Sequence, residues 1–123
     1  MLCRGSRVVG YYSLAPGSVV PEDAPSRVRQ GQARHPVPVI LMAQFAVDLR
    51  EQGRGLGRAL LRDALRRALQ GSEAIGGRAF LVHAKDDAAR FFYEKFGMEA
   101  SPTHPLYLFL LFKDIRRSLE APE

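Results

Sequence analysis

The ten residues VILMAQFAVD, Val39 to Asp48, are apolar almost throughout. A run of this kind is expected of a central strand covered on both faces. Directly after it, EQGRGLGRALL (Glu51 to Leu61) packs three glycines into five residues and passes at once into good helix formers. Leu56, Leu60, Ala64 and Ala68 recur at helical spacing, and Leu61 and Leu65 widen the apolar face. That pattern predicts an amphipathic helix over 58–70, with Gly71 as its stop. RAFLVHA, Arg78 to Ala84, follows as another strand. Strand, helix and strand in this order form a candidate right-handed parallel unit, which commits the chain to α/β layers.

The flanking segments extend the frame. RVVGYYSL, Arg7 to Leu14, mixes β-branched and aromatic residues and reads as a strand, with Tyr11 and Tyr12 on opposite faces. The stretch from Pro16 to Pro38 is polar and rich in proline and charge, and reads as a long loop. Asp86 or Asp87 can cap a helix over about 88–96, ended by Gly97. After a turn at Pro102 and Pro105, Leu106 to Phe112 reads as a last buried strand.

A chain of 123 residues fits one domain, and its apolar content of 46% allows a real core. The formal charge is +5, with arginine far outnumbering lysine, which favours anionic partners such as nucleotides, phosphates, RNA or an acidic protein. Cys3 is the single cysteine, so no internal disulfide forms and a reducing compartment is expected. The N-terminus carries no apolar stretch of signal-peptide length, and LYLFLLF is far too short to span a bilayer. These features point to a soluble cytoplasmic protein with no membrane segment. His35, His83 and His104 show no metal-ligand spacing, and no metal is expected.

The glycine cluster fits neither familiar phosphate loop. A dinucleotide fingerprint needs G-x-G-x-x-G, but Arg58 stands at the third glycine. A P-loop needs Gly-Lys-Ser/Thr, and that ending is absent too. What remains is Gln52-Gly53-Arg54-Gly55-Leu56-Gly57, a Q-x-x-G-x-G loop between strand and helix. Its N–H groups can converge on an anion at the helix N-terminus. A tight turn without a ligand is the plain alternative.

Q/R-x-x-G-x-G/A after a strand ending in Val-Asp resembles the acetyl-CoA signature of the GNAT N-acetyltransferases. FFYEKFGM, Phe91 to Met98, resembles that family's helix ending in Tyr-x-x-x-Gly-Phe, with Met98 in the last position. Asp86 stands where the family often has asparagine, seven residues before the tyrosine. GYYSLAPGSV, HPVPVILMAQFAVD, LVHAKDDAARFFY and EASPTHPLYLFL together resemble the GNAT toxins of bacterial toxin–antitoxin pairs, from about Arg7 to Phe112. The implied fold is a mixed central sheet flanked by helices. The family's first strand, first two helices and most of its second strand have no counterpart here. One such N-terminally truncated domain is expected over 1–113, with a charged tail over 114–123.

The resemblance also implies the chemistry. Those toxins use acetyl-CoA to acetylate the α-amino group of aminoacyl-tRNA, stopping translation, and are paired with ribbon-helix-helix antitoxins; the family commonly forms homodimers. Transfer to a small amine or a protein amine, or a chain that only binds its antitoxin, are the alternatives. The amine attacks the thioester directly, so no protein nucleophile is needed. By resemblance, the backbone of Gly53, Arg54, Gly55, Leu56, Gly57 and Arg58 holds the pyrophosphate, and Gln52, which opens the motif, belongs to the same cofactor site. The backbone of Phe45, Ala46 and Val47 aligns the pantetheine arm like an added strand, Asp86 completes the cofactor site, and Tyr93 is the general acid. A phenol near ~10 can protonate a thiolate whose acid is near ~8.5, uphill by about 1.5 units. Otherwise Tyr93 is a core aromatic at a helix end.

No general base stands out among Asp48, Glu51, Asp86, Asp87 and Glu94. An α-amine near ~7.7–8.0 needs less help losing its proton than a lysine near ~10.4, which favours an α-amino acceptor. Arg54, Arg58, Arg62 and Arg66 recur every fourth residue beside Arg67, as a solvated face, an RNA phosphate track or a contact to the cofactor's own phosphates. Arg27, Arg29, Arg34, His35, Arg116 and Arg117 are further candidates for RNA or antitoxin contact.

Overall fold

A computed structural model describes residues 2–4, 7–30, 35–47 and 55–120. Among these residues six strands form one sheet: β1 (Leu2–Arg4), β2 (Arg7–Val19), β3 (Val37–Val47), β4 (Ala79–His83), β5 (Glu99–Ala100) and β6 (Tyr107–Leu111). Their spatial order is β1-β2-β3-β4-β6-β5. Four helices accompany them: α1 (Ser26–Arg29), α2 (Leu56–Ile75), α3 (Asp87–Glu94) and α4 (Phe112–Glu120). β3 and β4 pair in parallel, as their joining through α2 requires, and every other pair is antiparallel. The expected mixed α/β sheet is therefore present, with β3 and β4 at its centre.

Strand alternation divides the core in two. Ile40, Met42, Phe80, Val82 and Leu108 face the side of α2, α3 and α4, where Leu61, Leu65, Tyr93 and Ile115 fill the space. Val37, Val39, Ala79, Leu81, Phe109 and Leu111 face the other side and bury Ala24 and Val28, the latter from α1. The helix face read from the sequence is the buried one: Leu60, Leu61, Ala64, Leu65 and Ala68 are all buried.

Three segments depart from the sequence reading. The stretch read as a loop over 16–38 is largely regular: β2 continues to Val19, a 3-10 turn covers Pro21–Asp23, α1 follows, and β3 begins at Val37. Pro16 lies within β2, paired with Ile40. Among the described residues β1 reaches only Arg7 to Gly10, so Pro16 lies on an edge stretch of β2, where strands tolerate proline. Next, α2 runs past Gly71 to Ile75 and stops at Gly76, whose φ of 69° gives the left-handed cap that Gly71 does not provide. Last, the charged segment after Leu111 is helical to Glu120, and Phe112 and Ile115, one turn apart, are buried against the core.

Arg78 joins α1 to the sheet. Its Nε donates to the Val28 carbonyl at 3.1 Å, and its Nη2 donates to the carbonyls of Arg27 and Gln30 at 3.1 and 3.3 Å. These are helix-terminal oxygens that α1 cannot satisfy itself.

Candidate functional site

A bulge in β3 creates the opening. Ser13 pairs with Gln44 and Leu14 with Met42, so Ala43 is the extra residue on β3. The extra residue also shifts the alternation. Ile40 and Met42 face the α2 side before the bulge, and Phe45, an odd number of residues further on, joins the same core after it. β3 and β4 pair from Val39↔Ala79 to Met42↔Val82 and no further. β3 continues to Val47 on β2 alone, while beyond Val82 β4 stays with β6, with Ala84 N–H donating to the Leu106 carbonyl at 2.7 Å. The two central strands thus part, and among the described residues the β4-facing backbone edge of 43–47 has no strand partner. That edge includes the Phe45, Ala46 and Val47 backbone expected to align an extended arm.

The helix termini close around this opening. Gly55 is the N-cap of α2 at φ 78°, a conformation that favours glycine, and it offers no side-chain cap. The first-turn N–H groups of Leu56, Gly57 and Arg58 therefore have no partner inside the helix. Gly57 lies against α3: a Cβ there would meet the Phe92 ring at 3.6 Å. The Arg58 guanidinium sits 5.9 Å from the Phe96 ring centroid. Phe45 is 6.1 Å from Phe92 and 6.2 Å from Tyr93, centroid to centroid, and Phe92 packs edge-on to Tyr93 and Phe96 at 5.3 Å each. Phe45, Gly55, Gly57, Arg58 and Tyr93 are thus drawn to one end of the sheet. Gln52, Gly53 and Arg54 lie outside the described residues, as do Asp48, Arg50, Glu51 and Arg34.

Tyr93 is buried, and burial pushes its phenol up from the usual 10 to about 12. Asp86 is the N-cap of α3, with Oδ1 accepting the Ala89 N–H at 2.8 Å. The carboxylate expected at the cofactor is in part occupied by holding that helix. Its work nonetheless bears on the site, because α3 carries Phe92 and Tyr93.

The basic residues divide. On α2, Arg67 pairs with Asp63 at 3.4 Å, while Arg58 and Arg66 are exposed. Arg27 pairs with Asp114 at 3.0 Å and Arg116 with Glu73 at 3.3 Å, so both tie elements of the fold together. Arg29, His35 and Arg117 are exposed.

Two features escaped the sequence reading. The Tyr12 hydroxyl donates to Asp63, 51 positions away, and burial together with that carboxylate raises its pKa to about 12. His83 is an exposed residue at the end of β4, stacked on Tyr107 at 3.9 Å. His104 stacks on the same ring at 4.7 Å. A His–Tyr cross-strand pair was the available signal, and the register that reveals it is not written in either segment.

Known proteins share this architecture. A model of the acetyltransferase (GNAT) family matches residues 1–98. A tRNA-acetylating toxin of Mycobacterium tuberculosis is 59% identical over 93% of this chain and 68% of its own length. Among solved structures, a mutant of KacT superposes with a TM-score of 0.83 at 25% identity, over 91% of this chain and 67% of that one. AtaT complexed with acetyl-methionyl-tRNAfMet superposes with a TM-score of 0.82 at 25% identity, over 92% of this chain and 68% of that one.

Proposed function

Because the chain belongs to the GNAT acetyltransferase family, we propose that it transfers the acetyl group of acetyl-CoA to the α-amino group of an aminoacyl-tRNA and so blocks translation. The observation that carries this reading is the 59% identity, over nearly the whole chain, with a tRNA-acetylating toxin. Acetyl-CoA supplies an activated thioester; the chain supplies placement and a proton.

The parted strands fit such a co-substrate. The free backbone edge at Phe45 to Val47 hydrogen-bonds an extended amide-bearing arm as a strand would. The uncapped start of α2, at Gly55 to Arg58, meets the pyrophosphate with N–H groups and a favourable dipole. Gln52, Gly53 and Arg54 extend this cradle in the same reading, and Asp86 acts by fixing the start of α3.

Tyr93 protonates the leaving thiolate. With the phenol at about 12, proton transfer to a thiolate near ~8.5 is uphill by about 3.5 units, or about 5 kcal/mol. A thiolate released among Phe45, Phe92 and Tyr93 is itself desolvated and more basic, which narrows the gap. The α-amine, already partly neutral at pH 7, arrives without a dedicated base. A ribbon-helix-helix antitoxin and a second copy of the chain are the proposed protein partners.

The test is incubation with labelled acetyl-CoA and charged tRNA. Label on the aminoacyl end is expected. Label on free polyamines or protein lysines instead, from protein that binds acetyl-CoA, overturns the acceptor assignment. Folded protein without acetyl-CoA binding leaves a module that only engages an antitoxin.

A further inference from the structure

We propose that the stacked rings of His83, Tyr107 and His104 form a platform for the 3′-terminal nucleobase of the aminoacylated RNA, on the sheet face opposite Tyr93. This inference rests on the acceptor assignment above and deepens it.

The faces set the geometry. Phe80, Val82 and Ala84 of the β4 segment lie in the core that holds Tyr93, whereas Ala79 and Leu81 lie in the other core. Alternation places His83 with Ala79 and Leu81. Tyr107, its cross-strand partner, packs on that same second core. The α2 terminus and Tyr93 lie on the first face. An acceptor reaching the parted strands without displacing the co-substrate approaches from the second. His83 stands one residue beyond Val82, the last β4 residue paired with β3, about 3 Å further along the strand. The rings therefore flank the mouth of the opening.

The platform is also held in place. The His83 and Tyr107 rings lie face to face and nearly parallel, with 10° between their planes, and His104 is inclined by 27° to Tyr107. The buried Ser101 Oγ accepts the N–H groups of Thr103 and His104 at 3.2 Å each, and the Tyr107 N–H donates to the His104 carbonyl at 2.9 Å. The Thr103 hydroxyl donates to Asp23 Oδ1 at 2.6 Å, while His104 Nε2 lies 3.7 Å from Asp23 Oδ2. Asp23 thus clamps the loop from the far side of the sheet order. The side chain of His104 is 50% exposed. Among the described residues, no group of three His, Cys, Asp or Glu side chains is placed to hold a metal ion. Partial burial lowers the pKa of His83, and the nearby His104 adds to the effect. A neutral imidazole in a flat, fixed stack suits a base, because every nucleobase offers a π-face.

The test uses an RNA minihelix whose 3′ end carries an amide-linked amino acid, so that the acceptor neither hydrolyses nor turns over during titration. Calorimetry compares wild type with His83→Leu, His104→Leu and His83→Phe. The leucine variants are expected to bind the minihelix about tenfold more weakly. His83→Phe keeps wild-type affinity, since a ring remains, and acetyl-CoA binding is unchanged in all three. Leucine variants that bind as tightly as wild type overturn the platform. So does a His83→Phe variant as weak as His83→Leu, which assigns the effect to imidazole hydrogen bonding. Wild-type protein that acetylates charged tRNA while the leucine variants match it in KM sinks the platform and leaves the acceptor assignment standing. Wild-type protein that neither binds the minihelix nor acetylates charged tRNA overturns the acceptor assignment, and the platform with it.

Discussion

Tyr93 shows how one side chain can be placed by sequence and yet be tuned by structure. Its resemblance to the tyrosine of the family's Tyr-x-x-x-Gly motif marked it, but only its packing against Phe45 and Phe92 explains a phenol pushed up to about 12. A phenol with that pKa stays protonated across the working range, as the proposed acid must. Single-turnover rates should therefore rise with pH through the amine's titration and hold level to about pH 9.5. A fall with an apparent pKa below 9 that disappears in Tyr93→Phe would contradict this assignment. Tyr93→Phe itself should lower turnover by about 10²-fold or more, with acetyl-CoA affinity nearly unchanged. Gly55 and Gly57 separate two reasons for glycine. Gly55→Ala places a Cβ at φ 78° and should cost about 1–2 kcal/mol in a thermal melt, although nothing crowds it. Gly57→Ala meets Phe92 at ordinary contact distance and should hold or gain stability, by up to about 1 kcal/mol. Both glycines stand out in the sequence; the backbone angle that distinguishes them does not.

At the scale of elements, periodicity carried the reading well where burial is one-sided. The apolar stripe of α2 and the run of β3 were both legible because each is written in consecutive residues. The Ala43 bulge was not, since it exists only in the pairing of β3 with β2 and leaves no local signature. The segment from Pro16 to Pro38 misled because proline and charge usually mean loop, whereas here an edge position tolerates Pro16 and long-range bonds from Arg78 hold α1. Arg78→Met should release α1, lowering stability by about 1–3 kcal/mol in a denaturant melt. Hydrogen exchange should speed up across 26–30 while α2 stays protected. Equal deprotection of both helices would show that α1 is no separate unit.

For the whole molecule, two buried or half-buried phenols set an alkaline limit. Tyr12 and Tyr93 both have folded-state pKa values near 12, above the ordinary 10 of an unfolded chain. The folded state thus retains protons that the unfolded chain releases. The associated stability is complete below pH 10 and drains away between about 10 and 12. Melts across that window should show this loss, and Tyr93→Phe should shrink it. Architecture was legible at this scale because a strand–helix–strand unit admits few arrangements, while the side from which an acceptor enters depends on faces that only the assembled sheet defines. Among the described residues, no helix is long and apolar enough to cross a membrane. The central claim is that the opening beside Phe45 and Tyr93 brings acetyl-CoA to the α-amine of a charged tRNA. Its most direct measurement is the mass of the aminoacyl-adenosine released by ribonuclease after reaction with acetyl-CoA. A product heavier by one acetyl group, located on the amino acid's nitrogen and formed far more slowly with Tyr93→Phe, is the predicted result. An unmodified aminoacyl-adenosine, from protein shown by calorimetry to bind acetyl-CoA, would contradict it.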